Sequence, residues 1–265
     1  MKKNSTIANI FLIIIFFILY APIFYLIFYS FNSGGTMSGF DGFTLEWYKE
    51  LFQDTRLFII VLNTIVVALL SALISTIVGV FGAIAIQSFR RKQQNILLSL
   101  NNILIVSPDV IIGASFLILF TIVGFRLGFY SVLASHIAFS IPIVVLMVLP
   151  KLNEMSTTMI DAAKDLGASN FQVLTKVILP YITPGIFAGF FMALTYSLDD
   201  FAVTFFVTGN GFSTLSVEIY SLARQGISLN INALSTVLFF VTIILVIIYY
   251  YITKRSGTRG VSFRK

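Results

Sequence analysis

Cysteine is absent from the 265 residues, histidine and tryptophan occur once each, and only 11% of the chain is charged. Without cysteine there is no thiol nucleophile, no thiolate-bound metal and no disulfide, and the redox compartment stays undetermined. The single histidine, His136, has no second imidazole with which to build a metal site. Charge this scarce, against roughly 25% in a soluble globular chain, excludes a water-soluble domain. No G-x-x-x-x-G-K-S/T loop occurs, so nucleotide hydrolysis is not an activity of this chain. Apolar bulk takes the place of charge: 58% of the residues are hydrophobic and 28 are Phe, with a mean hydropathy of +0.97. Runs of about 20 nearly uncharged residues point to a polytopic membrane protein and exclude disorder.

Six such runs predict six membrane-spanning helices: Ile7 to Phe31, Leu57 to Ile86, about Ile96 to Val123, about Phe129 to Leu149, about Ile182 to Val207, and about Ala233 to Thr253. Barrel strands are shorter and alternate in polarity, so the expected class is an all-α integral membrane fold with a single transmembrane domain over 1–265. The first run is too long for a signal peptide and lacks a small-residue cleavage pattern after it, so it reads as a retained span. The basic residues set the orientation. Lys2 and Lys3, Arg90 to Lys92, Lys151, Lys164 and Lys176, and Lys254, Arg255, Arg259, Arg264 and Lys265 fall on one side; Lys49, Arg56, Arg126 and Arg224 fall on the other. The first set is the larger, which predicts cytoplasmic termini and accounts for the basic pI without nucleic acid. Trp47 and Tyr48 in the first outer loop fit an interfacial anchor. Leu215, Ile219 and Leu222 in the last outer loop have helical spacing, as a surface helix or a lid would.

The loop at about 151–181 is polar yet strongly patterned. Thr158 with Asp161 reads as a capping box, after which Met159, Ala162, Ala163 and Leu166 share one helical face. Gly167 ends that helix. Ser169 with Gln172 is a second capping box, opening a helix that carries Phe171, Leu174 and Val177 and is expected to stop near Pro180. Two short capped helices joined by a sharp bend would transmit force.

Three acids, Asp109, Asp199 and Asp200, lie inside apolar runs. An ionised carboxylate there costs roughly 2.5–3.5 kcal/mol by insertion scales, so these acids face a wet cavity unless they are neutral or paired with another subunit. At about 1.5 Å per residue Asp200 and His136 belong to one outer layer, with Asp109 deeper. Successive helical residues point about 100° apart, so Asp199 and Asp200 cannot both face a pore. One lines it and the other makes a hydrogen bond or a subunit contact. Pro108 frees a backbone carbonyl, which gives Asp109 two readings: a pore acid, or a protonated acid mending the helix. His136 reads first as a hydrogen-bonded core residue. Ser75, Gly79 and Ala83, and Gly185, Gly189 and Ala193, recur every four residues and permit close helix approach, within the chain or to a sister subunit.

The run Asp161-Ala162-Ala163-Lys164-Asp165-Leu166-Gly167, followed after nine residues by Val177-Ile178-Leu179-Pro180, resembles the EAA loop of ATP-binding-cassette importer permeases. Asp161 stands where Glu is usual and Val177 where Ile is usual, both conserving charge or shape. A wider set resembles the second permease subunit of spermidine/putrescine importers: Ser30 to Ser33, Gly42 to Thr44 with Trp47 and Tyr48, Ser107 to Asp109, Ser135 to Ile137, Asp165 to Ser169, and Leu198 to Asp200 with Phe206 to Gly209.

This resemblance implies a type I importer permease in a bacterial cytoplasmic membrane. Asp161, Ala162, Ala163, Gly167, Leu179 and Pro180 would form the element that docks on an ATPase. The implied partners are a second homologous permease, two ATPase subunits that carry ATP and Mg, and an extracytoplasmic polyamine-binding protein; no cofactor is expected on this chain. Asp199, Asp200 and Asp109 would line the path of a protonated amine, with Phe201, Phe205 and Phe206 available for cation–π contact. Similar permeases for iron, thiamine, sulfate or molybdate are the nearest rivals. More distant are a proton-coupled secondary transporter using Asp199 or Asp200, and an intramembrane hydrolase, for which the sequence around His136 shows no adjacent acid or nucleophile motif.

Overall fold

The computed structural model describes residues 3–225 and 229–257; Lys2, Arg259, Arg264 and Lys265 of the orientation argument lie outside them. In chain order the helices are α1 (Lys3–Tyr29), α2 (Glu46–Gln53), α3 (Thr55–Ser88), α4 (Arg91–Val106), α5 (Asp109–Val123), α6 (Phe129–Glu154), α7 (Thr157–Asp165), α8 (Asn170–Val173), a π-helical turn (Leu174–Ile178), α9 (Leu179–Asp199), α10 (Ala202–Val207), α11 (Leu215–Gln225) and α12 (Leu229–Gly257). The fold is all-helical. Among the described residues four helices are long and apolar enough to cross a membrane, or five if α4 and α5 count as one broken span.

Two of the expected straight spans are broken. The third bends by 102° between α4 and α5. Pro108 disfavours helical backbone at Ser107, which is extended (φ −68°, ψ 139°), and it has no amide hydrogen to return to the Leu104 carbonyl. The fifth run ends its helix at Asp199, and Asp200 is extended (φ −63°, ψ 122°) before α10 begins. The Asp200 carboxylate accepts from the amides of Val203 (3.3 Å) and Thr204 (2.8 Å), so a local side-chain acceptor replaces the helical one.

The chain forms two compact units, residues 1–58 with 219–265 and residues 59–218. In the second unit α6 is the central helix. Val144, Val145, Val148 and Leu152 of α6 pack with Ala72, Val80 and Ala83 of α3 and with Ile182 and Ala193 of α9. Both small-residue rows face this core: a Cβ on Gly79 would lie 2.7 Å from Val144 Cβ, and one on Gly189 would lie 3.2 Å from Val144 Cγ1. Close approach, the chief source of helix packing where lipid is as apolar as leucine, is thus used inside the chain. A second cluster joins Val67 of α3, Ile112 and Phe120 of α5, Val132 and Phe139 of α6, and Val203 and Val207 of α10.

In the first unit α12 packs against α1 and α2. Its organising residue is Asn32, fully buried. The Asn32 amide donates to the carbonyls of Thr36 (2.8 Å) and Gly39 (2.7 Å), and its oxygen accepts from the amides of Asp41 (2.8 Å) and Gly34 (3.3 Å). Trp47 and Tyr48 are half-buried. Trp47 Nε1 donates to the Asn32 carbonyl (2.8 Å), and the Tyr48 hydroxyl pairs with Ser30 Oγ (2.6 Å). Phe40, Phe43 and Phe52 are exposed there.

Candidate functional site

The 151–181 loop builds a rigid hook. Ser156 caps α7, its Oγ accepting from the Thr158 amide (3.3 Å), so the cap lies two residues earlier than the expected Thr158–Asp161 box. At the other end Gly167 adopts a left-handed conformation (φ +83°). Its amide bonds the Lys164 carbonyl (2.8 Å) while the Ala168 amide reaches back to Ala163 (3.0 Å), closing the helix with paired reverse bonds. The Ser169–Gln172 box forms in both directions, at 3.3 and 2.8 Å. The helix it opens does not stop at Pro180. It widens into the π turn and runs on as α9, because the extra residue of a π turn absorbs the hydrogen bond that Pro180 cannot make.

Asp161, Ala162 and Gly167 are exposed on this hook and Ala163 is half-buried. Leu166 is 89% exposed and Phe171 72% exposed, the two most exposed of the large apolar side chains described on this loop. Leu179 packs against the α3–α6–α9 core, and Pro180 is exposed in the first turn of α9. The residues grouped by motif therefore divide between an outward face and a buried root.

The three acids separate just as clearly. Asp109 is exposed as the first residue of α5, and the Tyr196 hydroxyl donates to its Oδ1 at 2.7 Å. Asp199 is exposed three residues after Tyr196, hence on the same face of α9. The Tyr196–Asp109 bond ties the first residue of α5 to the last turn of α9. Asp109, Tyr196 and Asp199 form one acidic and aromatic patch. Tyr196 was not visible as part of it from composition, although its spacing to Asp199 is the signal that would have found it.

Asp200 turns inward. Besides the two amides it accepts from Thr204 Oγ1 (2.7 Å), and it lies 3.5 Å from His136 Nε2. His136 Nε2 also meets Thr204 Oγ1 (2.9 Å) and its Nδ1 meets Ser197 Oγ (2.6 Å), to which Ser71 Oγ donates (3.0 Å). With the ring proton on Nε2 one assignment satisfies all these bonds: Ser71 donates to Ser197, Ser197 to His136 Nδ1, His136 Nε2 to Thr204, and Thr204 to the accepting Asp200 carboxylate. Phe139 stands between the two acid environments, 4.9 Å from the His136 ring and edge-on to Tyr196 at 5.0 Å. The fold thus supplies the acid and hydroxyl beside His136 that the sequence did not show. Ser197 is only 3% exposed, which gives a substrate carbonyl no approach to it. Among the described residues no three His, Asp or Glu side chains converge on a metal position. Phe206 packs into the second core cluster, while Phe205 is 44% exposed beside Phe201.

Residues 75–259 match the model of the binding-protein-dependent transport system inner membrane component family. The chain belongs to that family. Among relatives of this permease family, it is 34% identical over 248 residues to the spermidine/putrescine transport system permease protein PotC of Haemophilus influenzae, covering 94% of this chain and 96% of that one. It is 37% identical over 233 residues to the PotC protein of Escherichia coli, covering 88% of each. It is 33% identical over 230 residues to the putrescine transport system permease protein PotI of E. coli, covering 84% of this chain and 82% of that one. The resemblance read from the motifs therefore holds over most of the chain. Its fold is shared with a bacterial ABC transporter involved in the import of the acidic polysaccharide alginate, at TM-score 0.75, 17% identity and 97% of both chains. It is shared also with the MetNI methionine ABC transporter, at TM-score 0.62 and 19% identity, over 82% of this chain and all of that one.

Proposed function

We propose that this chain is a membrane permease subunit of an ATP-driven polyamine importer for the spermidine and putrescine class. The observation that carries the cargo is the Asp109–Tyr196–Asp199 patch: two carboxylates and a phenol ring exposed in an apolar chain suit a protonated amine that needs charge compensation and an aromatic face. Relatives named for spermidine and putrescine agree with it.

The whole chain acts as one permease domain of six spans, with the bent α4–α5 pair counted once and α12 as the sixth. Both termini and the 151–181 loop are cytoplasmic in a bacterial membrane. A second homologous permease completes the pore, an extracytoplasmic binding protein delivers the cargo, and two ATPase subunits carry ATP and Mg. The hook formed by α7 and the start of α8 docks on an ATPase subunit: Leu166 and Phe171 supply apolar contact, Asp161 an acid for a basic partner, and Gly167 the bend. Movement of the ATPase pair then passes through the π turn into α9, the helix that ends at Tyr196 and Asp199.

The test is a reconstituted complex of all four components in vesicles. Spermidine and putrescine should stimulate ATP hydrolysis in the presence of the binding protein and accumulate inside. Accumulation of sulfate, molybdate, iron or thiamine in their place would refute the cargo.

A further inference from the structure

The elbow between α4 and α5 frames an open groove of about 610 Å³ lined by Ser99, Asn102, Ile103, Val106, Ser107 and Pro108. Its lining mixes polar and apolar side chains. Asn95, Ser99 and Asn102 recur at helical spacing on one face of α4 and are all exposed, while Ile96, Leu100 and Ile103 on neighbouring faces are exposed and apolar. Amides and a hydroxyl facing hydrocarbon would go unsatisfied, so such a row calls for a polar neighbour, and beside the elbow and Asp109 water and cargo are the ones at hand. Asn101, the adjacent amide, has a different use: its Nδ2 donates to the Pro142 carbonyl (3.2 Å), tying α4 to α6. The α4 helix ends at the elbow, so its last carbonyls and the negative end of its dipole are directed there. Pro108 has no hydrogen to offer the Leu104 carbonyl. Beyond Pro108 comes Asp109 of the acidic patch.

We infer that this elbow is an inner relay station for the protonated amine. An ammonium group leaving Asp109 is received by the side-chain oxygens of Asn102 and Ser99 and by the terminal carbonyls of α4, and moves on past Asn95 towards the cytoplasm. Neutral acceptors suit this place because each holds an ammonium group weakly, and a path must release its cargo as readily as it admits it. Ser99 and Asn102 are about 4.5 Å apart along the axis, and Asn95 and Ser99 about 6 Å, so successive amines of a flexible chain can be handed from one to the next. Broken helices that present carbonyls to cations are a recurring device of membrane transport, and here the break, the polar row and the acid coincide. This inference rests on the polyamine reading above.

The experiment uses the complete complex in vesicles without ATP and exploits the absence of cysteine in this chain. Ser99→Cys, Asn102→Cys and the control Leu100→Cys are treated with a positively charged thiol reagent, and labelling is read as a mass shift of this chain. Ser99→Cys and Asn102→Cys should label, Leu100→Cys should not, and spermidine at about four times its half-saturating concentration should slow the labelling about fivefold, as occupancy by cargo requires. In the Ser99→Ala, Asn102→Leu double variant, maximal uptake should fall by a similar factor while assembly is kept. Silent cysteines at both positions, or labelling blind to spermidine, would overturn the relay. So would failure of the Asn102→Leu chain to pair with the second permease, which would make the row a subunit contact. Polyamine uptake by the unsubstituted complex together with any of these results overturns the elbow alone. Absence of polyamine uptake overturns the cargo reading, and with it the amine assigned to this station.

Discussion

Asp199 and Asp200 are neighbours in sequence and opposites in environment. Asp199 is exposed at the end of α9, whereas the Asp200 carboxylate is enclosed by the amides of Val203 and Thr204, the Thr204 hydroxyl and His136. Conservative substitution should separate their roles. In Asp199→Asn a charge of the cargo patch is lost, worth on the order of 1–4 kcal/mol for an amine at 4 Å, so uptake at limiting spermidine should fall by about fivefold or more with normal protein abundance. Asp200→Asn places an amide donor against donors in a closed network; the complex should lose about 3 kcal/mol of stability, read as earlier thermal unfolding in detergent. Ser71→Ala removes one neutral link of the same chain, and in a membrane such a link is worth about 0.6 kcal/mol, so unfolding should shift only slightly. Wild-type uptake in Asp199→Asn, or unaltered unfolding in Asp200→Asn, would contradict this division.

At the scale of elements, the hook and the helical clasp make different demands on glycine. Gly167 needs freedom of φ, since its +83° closes α7 with reverse bonds from Gly167 and Ala168. Gly167→Ala should cost about 1 kcal/mol locally and leave coupling measurable. Gly167→Pro cannot adopt that conformation and removes one of the reverse bonds, so binding-protein-stimulated ATPase activity should collapse while membrane insertion is kept. Gly79 needs space instead, because Val144 stands where its side chain would be. Gly79→Leu should therefore reduce the amount of folded chain in the membrane rather than its turnover, which quantitative blotting alongside ATPase assays would distinguish. The π turn joins the two regions mechanically: it keeps the helix of the hook continuous with α9 across Pro180, so a push on α7 and α8 has a stiff rod to act on.

At the scale of the whole molecule the orientation is open to direct measurement. Cysteines introduced at Ser169 and at Trp47 can be labelled without background from this chain. An impermeant reagent applied to intact cells should label the Trp47→Cys chain and spare Ser169→Cys; the reverse pattern would invert the topology. The membrane class, the family and the outline of the hook were legible in one dimension. Hydropathy over about 20 residues, the spacing of caps around Gly167 and the asymmetry of Lys and Arg are local or additive quantities, which a linear chain displays without being folded. The 102° elbow was not legible, even though Pro108 announced itself, because proline disrupts a helix without specifying whether the result is a slight kink or a turned corner.

Sequence by itself determined that this chain enters a membrane as helices, that it carries a capped hook with a glycine hinge point, and that three carboxylates travel with the apolar runs. Tertiary structure alone decided what each carboxylate faces. His136 and Asp200 are 64 residues apart in the chain and 3.5 Å apart in space, and Asp109 and Tyr196 are brought to 2.7 Å across 87 residues. The reason is physical: the helix break at Asp200 lets its carboxylate fold back onto the amides of Val203 and Thr204, and the packing of Gly79 and Gly189 around Val144 sets which faces of α3, α6 and α9 meet. Once those faces are chosen, one acid is enclosed as a cap and two are left outside with Tyr196, a distinction that depends on neighbours drawn from four helices and therefore appears only when the chain has folded.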